Sequence, residues 1–257
     1  MSGSNVGAKT AKKSKTKERE DTEIDSHKDI EGFVQWIDEE DARQMAITDV
    51  YDENRGVGTT VNGWKVIRVD KDDSSGYLAK LYEKDGHFAY VTAGTQDAKD
   101  WIANGRQNFG YETRQYEQSI GYVKDLQKQY GSNLVFVGHS LGGGLASANS
   151  RATGIDAITF NSAALSDRYK NGGFPNSRIA AYINEGDLLD YANKNLLGGQ
   201  KVEGTIIRRK VEESNSLSVP VPLIGAIMVI NPGAGTSLAK YQINRGVSIH
   251  SSTKVIK

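Results

Sequence analysis

Apolar residues are sparse over the first 28 positions, where Lys, Ser, Glu and Asp dominate. Such a stretch has little to bury, which predicts a disordered polar tail over 1–28 and a folded domain over 29–257. The pattern then changes. Glu39–Gly56 sets Ala42, Met45, Ala46 and Val50 near helical spacing and stops on glycine. Three strands follow at Trp64–Asp70, Gly76–Lys84 and His87–Gly94, the last two joined as a hairpin around Lys84-Asp85-Gly86. Asp97–Gly105 has the acidic start and glycine end of a short helix. Tyr111–Gly131 reads as a longer amphipathic helix with Tyr116, Ile120, Val123 and Leu126 on one face.

The continuous apolar run Asn133–Gly138 suits a strand buried on both faces. Leu141–Gly154 follows as a helix of small residues. Asp156–Ala163, Ser177–Asp187 and Gly204–Glu213 are further expected strands. This β-α-β alternation predicts an α/β fold with a mostly parallel central sheet.

Composition narrows the chemistry. The 257-residue length suits one sizeable domain. The absence of cysteine excludes disulfides, thiolate metal sites and a cysteine nucleophile. Lys+Arg and Asp+Glu balance at 32 each, so no general attraction to nucleic acid or an anionic bilayer is expected. The first residues contain no apolar core of a secretory signal. The longest apolar run, Val219–Ile230, holds two prolines and is too short to span a bilayer as a helix.

Gly138-His139-Ser140-Leu141-Gly142 fits G-x-S-x-G, and it lies between a buried strand and a helix, where a nucleophile elbow must lie. Such a turn strains the serine backbone and needs neighbours without bulk. It also aims the Leu141 N–H, at a helix N-terminus, at the place where an oxyanion forms. The competing reading is a tight turn in which Ser140 caps the helix. A nucleophilic serine needs a base and an orienting acid. Of His27, His87, His139 and His250, only His250 follows the serine in the order Ser, acid, His of α/β-hydrolase-like folds. Asp187 follows an apolar strand and a glycine and is preferred as the acid; Asp190 is the alternative. Thr95, after the third strand, is the candidate second oxyanion donor, or the start of the next helix, or both.

At these residues the chain resembles the class 3 lipase family, and more closely its bacterial phospholipase A1 branch. The matching pieces are "AYVTAGTQDAKDW", "VFVGHSLGGGLA", "AITFNSAALS" and "YINEGDLLD". The resemblance implies Ser140 as nucleophile, Asp187 as acid, His250 as base, and Thr95 with Leu141 as oxyanion hole. The family usually carries Arg-Gly-Thr where this chain has Ala93-Gly94-Thr95, and the segment around His250 departs from the family pattern. The implied reaction is acyl transfer to water, with no cofactor and no metal.

The implied substrate is a membrane phospholipid. The implied setting is an exported effector or toxin, secreted by a specialised system without a signal peptide and acting at a target-cell membrane, or otherwise the cytoplasm, with a cognate immunity protein as the partner a toxin implies. A neutral lipase or esterase, and a catalytically inactive lipid-binding module, are the alternatives. Residues 219–230, between acid and base, read either as a lid over the acyl site or as a buried element.

Overall fold

The structure, a computed structural model, describes residues 24–94, 109–185, 187, 189–190 and 201–210. Among the described residues eight strands form one sheet: β1 (Thr60–Val61), β2 (Trp64–Asp72), β3 (Tyr77–Lys84), β4 (His87–Thr92), β5 (Leu134–His139), β6 (Ala157–Phe160), β7 (Ile179–Asn184) and β8 (Thr205–Arg209). They lie side by side in chain order. β1 to β4 pair antiparallel and β4 to β8 pair parallel. The fold is α/β with a mostly parallel centre, as the alternation of elements predicts.

Strictly sequential order has a physical consequence. Right-handed crossovers that always advance in one direction place every crossing helix on the same face of the sheet. That face carries α2 (Phe109–Tyr130) and α3 (Leu141–Thr153), with the short α4 (Asp167–Lys170) after β6. Here Tyr77, Leu81, Tyr90, Leu134 and Phe136 meet Val123, Leu126 and Leu145. The other face receives Val66, Tyr82, Val91, Val135, Val137, Ile158 and Tyr182. Its cover is α1 (Glu39–Ile47) with the segment before it and the turn after it, through Phe33, Ile37, Met45 and Val50. The alternation of Leu134 and Phe136 with Val135 and Val137 explains why β5 is buried at every position.

The expected tail boundary at residue 28 is corrected by this cover, because the folded body reaches back to Ile24. Ser26 and Asp29 close a capping box around a 3-10 turn at His27–Asp29. His27 is fully buried. Its backbone N–H donates to the Tyr182 hydroxyl at 2.9 Å, and its Nδ1 meets the same hydroxyl at 2.7 Å. Nε2 lies 3.0 Å from the Ile37 carbonyl, which only accepts, so Nε2 carries the proton and Nδ1 accepts from Tyr182. Arg209 of β8 seals the edge. It lies 4.8 Å over the Tyr182 ring, pairs with Glu39 at 2.8 Å and donates to the Asp25 carbonyl. A compositional average over 28 residues hides an anchor of this size.

Burial holds the His27 pKa below its usual 6.5, assisted by Lys28 and opposed by the Ile37 carbonyl, Glu39 and Asp38. The unfolded chain therefore takes up this proton at a higher pH than the folded one. Stability is whole above about pH 6.5 and falls as pH drops toward the lower folded value, by up to about 1.4 kcal/mol per pH unit. Between pH 7.5 and 5.5 the unfolding free energy should fall more steeply in the wild type than in His27→Gln. Equal slopes in urea titrations would remove His27 from the account.

Other boundaries differ for local reasons. Helix α1 stops at Ile47, well before the expected Gly56, and the chain continues as a 3-10 turn at Asp49–Tyr51. Strand β6 ends at Phe160 instead of Ala163 because Asn161 turns to φ 42°. The two-residue β1 was not expected, although Asn62-Gly63, at φ 49° and 83°, is a hairpin turn signal. The expected helix Asp97–Gly105 and the apolar run 219–230 lie outside the described residues.

Candidate active site

Strand β5 and helix α3 meet at Ser140, which has φ 57° and ψ −126°. A side chain is disfavoured in this conformation, which glycine adopts with ease. The turn persists because its surroundings over-determine it. The Ser140 N–H donates to Phe160 O at 3.1 Å, and its carbonyl accepts from Gly143, Gly144 and Ala163 at 3.0, 3.3 and 2.9 Å. A Cβ on Gly138 would overlap the Gly142 carbonyl, and one on Gly142 would overlap the Thr92 carbonyl. The glycines two residues either side of Ser140 are thus the condition for strand, turn and helix to approach each other.

The Ser140 side chain makes no cap hydrogen bond to α3, which argues against the helix-capping reading. The oxygen is not spent on the helix, yet it sits at the positive end of thirteen helical residues. Leu141 is the first residue of α3, so its N–H has no carbonyl one turn back and points out of the helix beside Ser140. Leu141 is buried, as is Ser140. Dry surroundings strengthen any hydrogen bond made to a developing negative charge there.

Gly142→Ala should cost about 3 kcal/mol, at the upper end for overpacking, because its Cβ would run into the backbone at the end of β4, which cannot swing aside as a side chain can. The Ala93 carbonyl carbon and the Gly94 nitrogen would stand 2.7 and 2.8 Å away. Urea denaturation measures it; an unchanged midpoint would mean that β4 and α3 separate at little cost.

Asp187 follows β7, two strands from β5, a gap of about 10 Å at ordinary strand spacing. An imidazole with a hydrogen bond at each end fills a gap of that order. Asp187 is 1% exposed. Its N–H donates to Asn184 O at 3.1 Å, and its Oδ1 accepts from the Asp190 N–H at 2.8 Å, which holds that carboxylate oxygen against the backbone. Asp190 lies with one carboxylate oxygen 3.8 Å from Arg208 of β8 and is more exposed. Asp187 is thus the more buried of the two candidate carboxylates and the one held by a backbone N–H. Asn161 prepares its position: the Asn161 side-chain oxygen accepts the Asn184 N–H at 2.8 Å, tying the end of β6 to the loop that carries Asp187. Sequence reasoning assigned Asn161 no role, although it stands inside "ITFNSAALS".

The described histidines are engaged elsewhere. His27 has both nitrogens committed. His87 begins β4, far from that strand's C-terminal end, and stacks on Trp36 at 4.5 Å. His139 shares the Val137 side of β5 by strand alternation. Thr95 and His250 lie outside the described residues. Among the described residues no group of three or more His, Asp or Glu side chains could hold a metal ion. A surface pocket lined by Gly154, Phe174 and Arg178 lies at the far end of α3, about 20 Å from the elbow by helix rise.

The family model of the Tle-like phospholipase domain matches residues 45–243, which is most of the chain and spans the elbow and Asp187. The chain belongs to the Tle-like phospholipase family. The extracellular phospholipase A1 of Serratia liquefaciens is 45% identical over 96 residues, which are 37% of this chain and 30% of that protein. The chain thus matches less than a third of that relative's length. Among solved structures, a triacylglycerol lipase whose catalytic centre is a serine-protease triad superposes with a TM-score of 0.51 at 14% identity, over 82% of this chain and 89% of the lipase. The Rhizomucor miehei lipase in complex with its propeptide gives 0.50 at 15% identity, over 67% and 66%. At such identities the likeness is one of fold: this family member has a lipase-like, α/β-hydrolase-type fold. Among its described residues no helix is long and apolar enough to cross a membrane.

Proposed function

We propose that this chain is a carboxylic ester hydrolase that cleaves acyl esters of membrane phospholipids. The observation that carries the reading is Ser140 itself: a buried serine at φ 57°, on a glycine-flanked strand-to-helix turn, whose hydroxyl is not used to cap the helix. Family membership supports a phospholipid as substrate.

In this reading the Ser140 oxygen attacks the ester carbonyl carbon while His250 removes its proton. Asp187 holds the imidazole in the tautomer that can accept that proton and stabilises the imidazolium. The Leu141 and Thr95 N–H groups hold the oxyanion. Collapse of the tetrahedral intermediate breaks the ester bond, and the imidazolium gives its proton to the departing lysolipid alkoxide. Water, deprotonated by His250, then attacks the acyl-serine and releases the fatty acid. His250 is assigned by elimination among four histidines, with the other three engaged or misplaced.

The Serratia relative is described as extracellular, which supports an exported enzyme acting at a target-cell membrane. Delivery by a specialised secretion system, a toxin role and a cognate immunity protein in the producing cell belong to the same proposal.

The test is fatty-acid release from phosphatidylethanolamine and phosphatidylglycerol vesicles, with the lysolipid identified by mass spectrometry and a triglyceride emulsion in parallel. Release from vesicles is expected. Release from triglyceride alone would replace the phospholipid reading with a neutral lipase. No release from either substrate, with a p-nitrophenyl ester also untouched, would leave a lipid-binding module.

A further inference from the structure

Strand β4 leads directly into the segment that the proposed mechanism uses as oxyanion loop. The ladder with β3 persists one residue past the strand, where the Ala93 N–H donates to Leu78 O at 2.9 Å. The Gly94 N–H faces the β5 side by strand alternation, and instead of a strand carbonyl it donates to the Tyr51 hydroxyl oxygen at 2.8 Å. The chain is thereby turned off the ladder and laid against the elbow. A Cβ on Gly94 would stand 2.9 Å from the His139 carbonyl, 3.2 Å from the Gly142 nitrogen and 3.2 Å from the Tyr51 oxygen. The phenol and the helix N-terminus thus flank the same point of the backbone.

Tyr51 is itself held with unusual care. It ends the 3-10 turn Asp49–Tyr51. Lys80 of β3 donates to the carbonyls of Asp49 and Asp52 at 2.8 and 2.9 Å, on either side of Tyr51. Tyr82 donates to Asp49 Oδ2 at 2.7 Å, and Arg55 lies 3.4 Å from Asp49 Oδ1. Lys80, Tyr82 and Asp49 are all buried. Buried charges are tolerated only when fully engaged. Here their engagement fixes one turn, and that turn presents one hydroxyl to Gly94.

We propose that Tyr51 is a positioning residue for the oxyanion side of the site: its hydroxyl oxygen, clamped from β3 through Asp49, sets where Gly94, the last described residue of this segment, stands relative to Ser140 and Leu141. The inference rests on the proposed acyl-transfer mechanism. Burial raises the Tyr51 pKa to about 12, so the phenol is neutral at working pH and its oxygen remains a plain acceptor for Gly94. Displacing an oxyanion donor lowers the rate of the chemical step without changing ground-state binding.

Tyr51→Phe keeps the ring and removes only that acceptor. On p-nitrophenyl butyrate its kcat should fall about 10- to 100-fold with KM within about twofold of wild type. Affinity for a trifluoromethyl ketone, which forms a tetrahedral adduct on the serine, should fall by the same factor as kcat/KM. Tyr82→Phe, which loosens the clamp one step further away, should shift kcat in the same direction by less. It carries the test alone if Tyr51→Phe is not recovered folded. Unchanged kcat in Tyr51→Phe, with Ser140→Ala silent in the same assay, overturns this inference and leaves the hydrolase reading standing. Parallel changes in KM, kcat and melting temperature, without selective loss of the ketone, also overturn it in favour of a packing role. Full activity in Ser140→Ala overturns both.

Discussion

Ser140→Ala should lower fatty-acid release from phospholipid vesicles by at least about 10⁴-fold and leave the fold intact. The magnitude follows from what serine nucleophiles contribute elsewhere, where loss of the nucleophile costs as much as loss of the whole triad. What remains is the modest catalysis of the oxyanion donors and binding. The fold should survive because the substitution removes one oxygen that makes no cap bond to α3. Alanine keeps the Cβ, and with it the strain of φ 57°. A fluorophosphonate probe should label the wild type and not the variant. Ser140→Gly gives a second reading of the same site: it should be as inactive as the alanine variant but more stable by about 1 kcal/mol, since glycine adopts this conformation freely. Equal stability of the two variants would mean that the turn stores no strain. Retained hydrolysis in both would move the nucleophile away from residue 140.

Asp187→Asn should lower kcat about 10³- to 10⁴-fold with little change in KM. The asparagine oxygen can still accept the Asp190 N–H, so the loop geometry has no reason to move. The negative charge that stabilises an imidazolium is gone, and an amide can hold the imidazole in the wrong tautomer. Asp190→Asn should cost less than about tenfold, because Asp190 contributes to this arrangement through its backbone N–H, which the substitution keeps. The pair of variants in one ester assay separates the two candidate acids. A larger loss at 190 than at 187 would make Asp190 the orienting carboxylate.

The elbow was legible because its requirements are local. A buried strand, a serine, glycines two residues either side and a helix of small residues all fall within one short stretch, and each answers a steric need that the overlaps at Gly138 and Gly142 display. The sheet was legible for a related reason, since β2 to β5 announce themselves by period and by turn residues. Tyr51 was not legible. It is one of twelve tyrosines, and its role appears only when β3 and β4 bring Lys80, Tyr82 and Gly94 around it. His27 was missed because its partner, Tyr182, lies 155 positions away and its neighbours are polar. Asn161 lay in view, but what it does depends on Asn184 at the end of the next strand.

The sequential strand order also sets a timetable. The cover of one sheet face is the first described part of the chain, Ile24 to Ile47, yet the surface it covers includes Ile158, Ala180, Tyr182 and Ile207. During synthesis Phe33, Trp36, Ile37 and Met45 emerge well before the strands that will bury them. Contacts of such sequence separation are slow to form and leave apolar surface waiting. The Asp187 loop follows β7, the strand that binds His27, so the candidate acid and the anchor of the cover come into place together. Until β7 docks, the chain is an incompletely closed sheet with its earliest hydrophobic segment unsheltered, and Ser140 has no carboxylate two strands away. In the proposed mechanism catalytic competence is therefore a late event in the life of the chain, coincident with closure of the face that Ile24 to Ile47 protect.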